Sequence, residues 1–376
     1  MTTGQELRIG IIGYGAMGKA HSYGYKVAPL IESLPVTPRV TVISGRNAEA
    51  VARAAHDYGI PAWTTEWREL IERDDVDVVD ICTPPGTHAE IAAAAAAAGK
   101  AVFCEKPLST NLSDAKTALA AVTAADVKNA VGFNYRRLPA VALMQRMISE
   151  GAIGKVLLWR AIWLSDEFAD PTTPYDWRFD ASMGGSTIAD LGCHLIDMAL
   201  WMAGPVTEVC AQSTTFTTER SSGVGQTPVT VDDSSQALMR FESGARGSLE
   251  VGRVSMRRPC DFTVEVNGTR GTLVFDYSRL NELQFGSADD DVTLYGMRTI
   301  RTEHPTHPYA ANWWAIGQGV GYGSSFANQV ADLLRGWPEE KWQPSFAHAV
   351  KVQAVADAME RSAFADAWIA IDRVDR

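Results

Sequence analysis

An aspartate and a histidine four residues apart, Asp190 and His194, stand in the run Asp190-Leu191-Gly192-Cys193-His194-Leu195-Ile196-Asp197. On a helix this spacing sets both side chains on one face, with Asp197 close to it. An imidazole titrates near neutrality and a carboxylate one turn away tunes it, so the pair suits proton transfer. The same residues could instead share a metal ion or form a satisfied core histidine. No second histidine and no Cys-x-x-Cys pair lies nearby, and no metal site is expected. Upstream, Lys106 precedes Pro107 in Cys104-Glu105-Lys106-Pro107, where a short apolar run ends. A lysine there is hard to read as mere surface charge.

A second constellation concerns phosphate. Gly13-Tyr14-Gly15-Ala16-Met17-Gly18 follows an apolar strand and opens a helix. Gly13 permits a tight turn, Gly15 admits a pyrophosphate to the backbone, and Gly18 lets helix and strand pack closely. The free N–H groups at the helix start favour an anion. The second strand ends in Ser44-Gly45-Arg46-Asn47, with no carboxylate for the adenosine ribose. A serine and a guanidinium welcome a 2′-phosphate, which favours NADP(H), with NAD(H) the alternative. Arg46 could also only stack on adenine. Strand-end residues Thr83, Pro84, His88, Glu105 and Lys106 are expected to face the cofactor, since open α/β sheets bind ligands at the carboxyl ends of their strands, although His88 could instead only start the following helix.

The elements that must position these residues read as follows. Strand runs at 7–12, 40–43, 76–82 and 101–104 alternate with helical runs at 48–58, 66–72 and 88–98, the pattern of a doubly wound parallel sheet. An insertion around 29–38 lengthens the path to the second strand. After about residue 133 the pattern changes: a helix at 139–150, then strands at 156–164, 236–241, 247–251, 262–266 and 272–275 separated by tight turns, and a terminal helix at 346–364. These predict an α/β chain with an N-terminal Rossmann domain, 1–132, and a C-terminal α/β domain, 133–376, built on a large, mostly antiparallel open sheet. Residues 213–228, rich in Ser, Thr and Gly, read as an exposed loop.

Composition bounds the partners. With 376 residues, 46% of them hydrophobic, there is material for two cores. A net charge of −11 argues against nucleic acid, which needs a basic face. Five scattered cysteines suit a reducing compartment rather than a disulfide framework. With no export signal and no membrane span in the sequence, a cytoplasmic protein is expected.

Gly13–Gly18, Glu105-Lys106-Pro107, Gly132-Phe133-Asn134-Tyr135-Arg136-Arg137, Trp177-Arg178, Gly184-Gly185 and Asp190-x-Gly192-x-His194-x-x-Asp197 together resemble the Gfo/Idh/MocA family of sugar and polyol oxidoreductases, which includes glucose–fructose oxidoreductase and inositol dehydrogenase. The insertion before the second strand and the run 317–323 resemble the levoglucosan dehydrogenase branch, from which Gly45 departs because that branch carries an acid near this position. The resemblance implies a catalytic trio of Lys106, Asp190 and His194, and a cis peptide before Pro107. It also implies a carbohydrate substrate and a C-terminal sheet that forms a homodimer or homotetramer. Candidates for lining the substrate or nicotinamide pocket are Asn134, Tyr135, Arg136, Trp177 and Arg178. Two other activities stay open at this point: glycoside cleavage through a transiently oxidised sugar, and a sensor that binds a dinucleotide without turnover.

Overall fold

A computed structural model describes residues 5–372. Strands β1 (Gln5–Ile12), β2 (Val36–Ser44), β3 (Ala62–Thr64), β4 (Val78–Ile81), β5 (Ala101–Cys104) and β6 (Asn129–Val131) form a parallel sheet in the order β3-β2-β1-β4-β5-β6. Between them run α1 (Ala16–Ile31), α2 (Ala48–Tyr58), α3 (Trp67–Glu72), α4 (His88–Ala97) and α5 (Leu112–Ala124). All four residues of β4 and of β5 are buried, as expected of a parallel sheet covered on both faces. Local signals set the ends: Asn47 caps α2 by accepting a hydrogen bond from the Ala50 N–H, and Gly59 closes it with φ +64°. The expected doubly wound sheet is present. Its two strands that sequence reading missed, β3 and β6, have three residues each, too few to show a period. The insertion at 29–38 is taken up by extension of α1 to Ile31 and an early start of β2 at Val36.

The second sheet follows α6 (Pro139–Ser149) and contains β7 (Val156–Leu164); α7 (Cys193–Met202) precedes β8 (Val206–Thr214). Then come β9 (Glu219–Ser221), β10 (Gln226–Pro228), β11 (Ser234–Phe241), β12 (Arg246–Gly252), β13 (Asp261–Gly268), β14 (Gly271–Asp276), β15 (Glu282–Ser287) and β16 (Arg298–Arg301). The chain ends with α8 (Gly323–Arg335), α9 (Phe346–Ala365) and β17 (Ile369–Ala370). The sheet order is β16-β15-β14-β13-β7-β12-β11-β8-β17, antiparallel throughout except for the β7–β12 pair. Burial alternates along its strands: Phe262, Val264 and Val266 of β13 are fully enclosed while their neighbours are half-buried, the signature of a sheet with one core face.

The segment expected as an exposed loop at 213–228 is largely exposed, but it carries the end of β8 and the β9–β10 hairpin. A buried arginine pins it. Arg220, 1% exposed, donates to the carbonyls of Phe168, Asp170 and Thr173 and lies over the Phe179 ring.

The chain forms two compact units. The first runs to Arg137 and takes back Gly321–Val350; the second comprises Leu138–Val320 and the chain from Lys351 onward. A single cut after residue 132 does not describe this partition, because α8 returns to the first unit and packs on α1. Gly24 makes the approach close, since a Cβ there would lie 3.0 Å from the Phe326 carbonyl oxygen. Arg335 of α8 also makes a two-pronged pair with Glu32, at 2.6 and 2.7 Å.

Candidate active site

In the first unit, the turn from β1 into α1 is built by glycines that nothing else could replace. Gly13 has φ +109°, and a Cβ there would stand 2.5 Å from the Cys82 carbonyl oxygen. A Cβ on Gly18 would stand 2.0 Å from the Gly13 carbonyl oxygen. Gly15 differs: a Cβ there would meet nothing within 4 Å. It is the N-cap of a 16-residue helix whose start has no side-chain cap and whose first turn, with Ala16 and Met17, holds no acidic residue. Open space before uncapped N–H groups fits a dinucleotide pyrophosphate.

The corner at β2 has a steric cause that the sequence did not reveal. The Tyr14 ring lies against Gly45, so close that a Cβ on residue 45 would come within 2.1 Å of it. Tyr58 donates its hydroxyl hydrogen to the Tyr14 carbonyl. An acid at position 45 would therefore displace Tyr14. Ser44 is 1% exposed, so its hydroxyl is enclosed; Arg46 is exposed and makes no ion pair among the described residues.

The strand ends of β4 and β5 are tied together. His88, fully buried, places Nε2 2.7 Å from the Thr83 carbonyl and Nδ1 2.8 Å from the Pro107 carbonyl. Burial holds its pKa below the ordinary imidazole value, against the pull of both carbonyls. A neutral ring donates to one of them at a time. The Thr87 hydroxyl bonds to that of Thr83, beside Pro84. Lys106 is half-buried, and its peptide bond to Pro107 is cis, as the resemblance implied. The Glu105 carboxylate is committed: it accepts the Lys106 backbone N–H at 3.1 Å and meets His21 Nε2 at 2.9 Å. Both ring nitrogens of His88 and both carboxylate oxygens of Glu105 thus have partners within the protein.

The 133–137 run is bound to the returning segment. Asn134, 3% exposed, donates to the Ser325 hydroxyl at 2.8 Å, and the Tyr135 ring lies 5.7 Å from that of Tyr322. Arg136 donates to His348 Nε2 at 2.7 Å. Sequence reading gave these three to a pocket; in the fold they also join 133–137 to α8 and α9.

In the second unit, the helix carrying Asp190 and His194 is not α-helical at its start. Ile188–Gly192 form a π-helical turn that passes into α7 at Cys193. The four-residue spacing thus lies across a wider turn than the α-helix expected, and such turns recur at functional sites. Half-buried Asp232 holds the turn: it accepts the Thr187 N–H at 2.9 Å and also its hydroxyl, and takes the Ser235 hydroxyl at 2.7 Å. Asp190 retains 20% side-chain exposure and lies 4.0 Å from Arg253 Nη1. His194, 4% exposed, stacks on Trp163 at 5.6 Å. Arg178 is laid over the Trp177 ring at 4.5 Å with Asp176 beside it. Gly185 is required there, since a Cβ would stand 2.4 Å from the Arg178 carbonyl oxygen.

Lys106 thus belongs to the first unit, and Asp190, His194, Trp177 and Arg178 to the second. Sequence reading missed Arg253, Trp163, His21 and Asp80. The available signal for Arg253 and Asp80 was a charge at the end of, or within, an otherwise apolar strand.

Comparison with known proteins accounts for this arrangement. Residues 7–133 match the model of the oxidoreductase family with an NAD-binding Rossmann fold, and 141–274 match the GFO/IDH/MocA C-terminal domain. Levoglucosan dehydrogenase of Pseudarthrobacter phenanthrenivorans is 39% identical over 98% of this chain and 99% of its own length. A scyllo-inositol 2-dehydrogenase (NAD(+)) of Bacillus subtilis is 32% identical over 71% of the chain and 73% of its own. A solved levoglucosan dehydrogenase in complex with NADH and levoglucosan superposes with a TM-score of 0.95 at 40% identity, covering 98% of this chain and all of that one. The chain is therefore a member of the GFO/IDH/MocA oxidoreductase family.

Proposed function

We propose that this protein is an NAD(P)-dependent dehydrogenase that moves hydride between a nicotinamide and a secondary hydroxyl or ketone of a carbohydrate, using Lys106, Asp190 and His194. One observation carries the reading: a full-length likeness to a sugar dehydrogenase is accompanied by the open Gly15 turn, a lysine anchored at a strand end, and an Asp/His pair that spans a π-turn and the start of α7. Relatives that act on levoglucosan and inositol make a sugar, anhydrosugar, glycoside or inositol the substrate class.

When bound, the dinucleotide supplies the hydride acceptor or donor. The residues of this chain supply the rest. His194 takes the hydroxyl proton in the oxidative direction and returns it in the reductive one. The Lys106 ammonium stabilises negative charge as it develops on the substrate oxygen. Asp190 binds a neighbouring hydroxyl or orients the other two. Asn134, Tyr135, Arg136, Trp177 and Arg178 are the remaining substrate-side candidates.

At the coenzyme's ribose, the exposed Arg46, which makes no ion pair among the described residues, and the lack of a carboxylate at Gly45 support NADP(H) over NAD(H), although solved relatives carry NADH. The protein is read as a cytoplasmic homodimer or homotetramer; among the described residues no helix is long and apolar enough to cross a membrane. The test is absorbance at 340 nm with NAD⁺ and NADP⁺ in parallel, against monosaccharides, anhydrosugars, glycosides and inositols. Wild type should reduce coenzyme, with higher kcat/KM for NADP⁺, and Lys106→Met should lose roughly 10³-fold or more in kcat while still binding coenzyme. Unchanged turnover in Lys106→Met would remove the assignment. Glycoside cleavage with no change at 340 nm would redirect it to hydrolysis.

A further inference from the structure

Beneath Lys106 lies an assembly that the mechanism does not use. His21, on α1 three residues after Gly18, is 1% exposed. Its Nδ1 is 2.9 Å from both oxygens of Asp80, and its Nε2 is 2.9 Å from Glu105 Oε1. Asp80 is 0% exposed and Glu105 4%. An imidazole facing a carboxyl group at each nitrogen can donate to both only when it carries both protons. Desolvation alone would lower its pKa, but the Asp80 carboxylate more than offsets this and lifts it well above the ordinary value. The ring cannot tilt freely: Phe103 stacks on it at 4.8 Å with 12° between planes, and Phe326 of α8 lies 5.9 Å from it. Tyr25, also buried, hydrogen-bonds to Asp80.

The far end of this assembly reaches the lysine. Glu105 Oε1 takes the imidazole, and Oε2 takes the Lys106 backbone N–H. Room for the carboxylate comes from Gly132, where a Cβ would stand 2.5 Å from Oε1. Asp80, His21 and Cys82 have the donor atoms of a metal site; both imidazole nitrogens lie at hydrogen-bond distance from carboxylate oxygens.

We propose that Asp80–His21–Glu105 is a buried charged relay that fixes the backbone from which Lys106 is presented, making His21 a positioning residue for hydride transfer. The proposal rests on the assignment of Lys106 as a catalytic group. Breaking the contact at Nε2 frees the Glu105 carboxylate to turn, and a small displacement of a reacting group can cost about 10²-fold.

The experiment pairs variants with a measurement on the native protein. His21→Gln should lower kcat about 30- to 100-fold and shift the pH profile of kcat, with coenzyme Kd changed by less than about threefold, since the glycine turn is untouched. Asp80→Asn leaves the Glu105 end in place and should cost less kcat than His21→Gln. In ¹⁵N spectra of the native protein, the His21 ring should keep both nitrogens protonated well above pH 6.5. A His21 ring that titrates as a neutral imidazole near pH 6.5, or a His21→Gln protein with native kcat and pH profile, overturns the relay. If His21→Gln fails to fold, the nitrogen spectrum still decides. Loss of activity in Lys106→Met together with a native His21→Gln rejects the relay alone, whereas a fully active Lys106→Met rejects the assignment of the lysine.

Discussion

Lys106 and Asp190 both rest on buried charge, but the two supports are built in opposite ways. Under Lys106 the charges are fully hydrogen-bonded: imidazole between carboxylates, carboxylate onto backbone N–H. Beside Asp190 the partner is Arg253, 0% exposed, which donates from Nη2 to the Asp232 carbonyl and lies against the Phe168 ring at 4.9 Å. Its Nε and Nη1 make no hydrogen bond among the described residues, and Asp190 is 4.0 Å away. A satisfied network holds geometry, while a buried cation with idle donors costs stability and is kept for its field. The first support is therefore read as positional and the second as electrostatic.

Three measurements sharpen or break that contrast. The largest effect is expected from Arg253→Met, which replaces the cation with apolar volume. Activity should fall about 100-fold while thermal stability holds or rises, as apolar replacement of poorly bonded buried charge often allows. Full activity with a large drop in Tm would make Arg253 a structural residue and dissolve the contrast. Next, Gly132→Ala drives a methyl group into the Glu105 carboxylate and should lower kcat about tenfold. Coenzyme Kd, measured by fluorescence titration, should stay near native; an unaltered kcat would show that Glu105 can move without consequence.

The smallest effect concerns stability and pH. Glu360 of α9 meets the Ser186 hydroxyl just before the π-turn. Burial, and then the neighbouring Asp232 and Asp357 carboxylates, raise its pKa to about 7, against the pull of Ser186. A carboxyl group raised in the folded state contributes stability that is complete below its unfolded value, near 4.5, and is lost as pH rises through about 7. Glu360→Gln should flatten the decline of Tm between these limits and raise Tm at pH 8. An identical Tm–pH curve would show that this carboxyl does not titrate there.

The sequence made some of this plain and hid the rest for definite reasons. The parallel sheet was legible because its longer strands are apolar runs that alternate with helical runs, one of them closed at both ends by Asn47 and Gly59. Lys106, Asp190 and His194 stood out because their motifs are local. Arg253 and His21 did not, since each acts through partners 59 to 84 residues away in the case of His21 and 63 in the case of Arg253. The π-turn was invisible too, because Ile188–Gly192 differ from an α-helical sequence by no composition signal and are held by Asp232, far along the chain. Position 45 shows how a correct observation can have a different cause: the missing acid suggested a phosphate, and the fold shows in addition that Tyr14 fills the space.

The return of α8 to the first unit bears on how the protein is made. Ribosomes deliver the chain from its N-terminus at about 5–20 residues per second, and domains usually close as they emerge. Here the parallel sheet emerges early, yet α1 has no α8 to cover it, Asn134 has no Ser325, and His21 has no Phe326 until about the last seventh of the chain appears. An early apolar face must therefore wait through the synthesis of the whole antiparallel sheet. Nascent chains stopped before residue 321 should be the species that chaperones hold, and coenzyme should stabilise the product only after release.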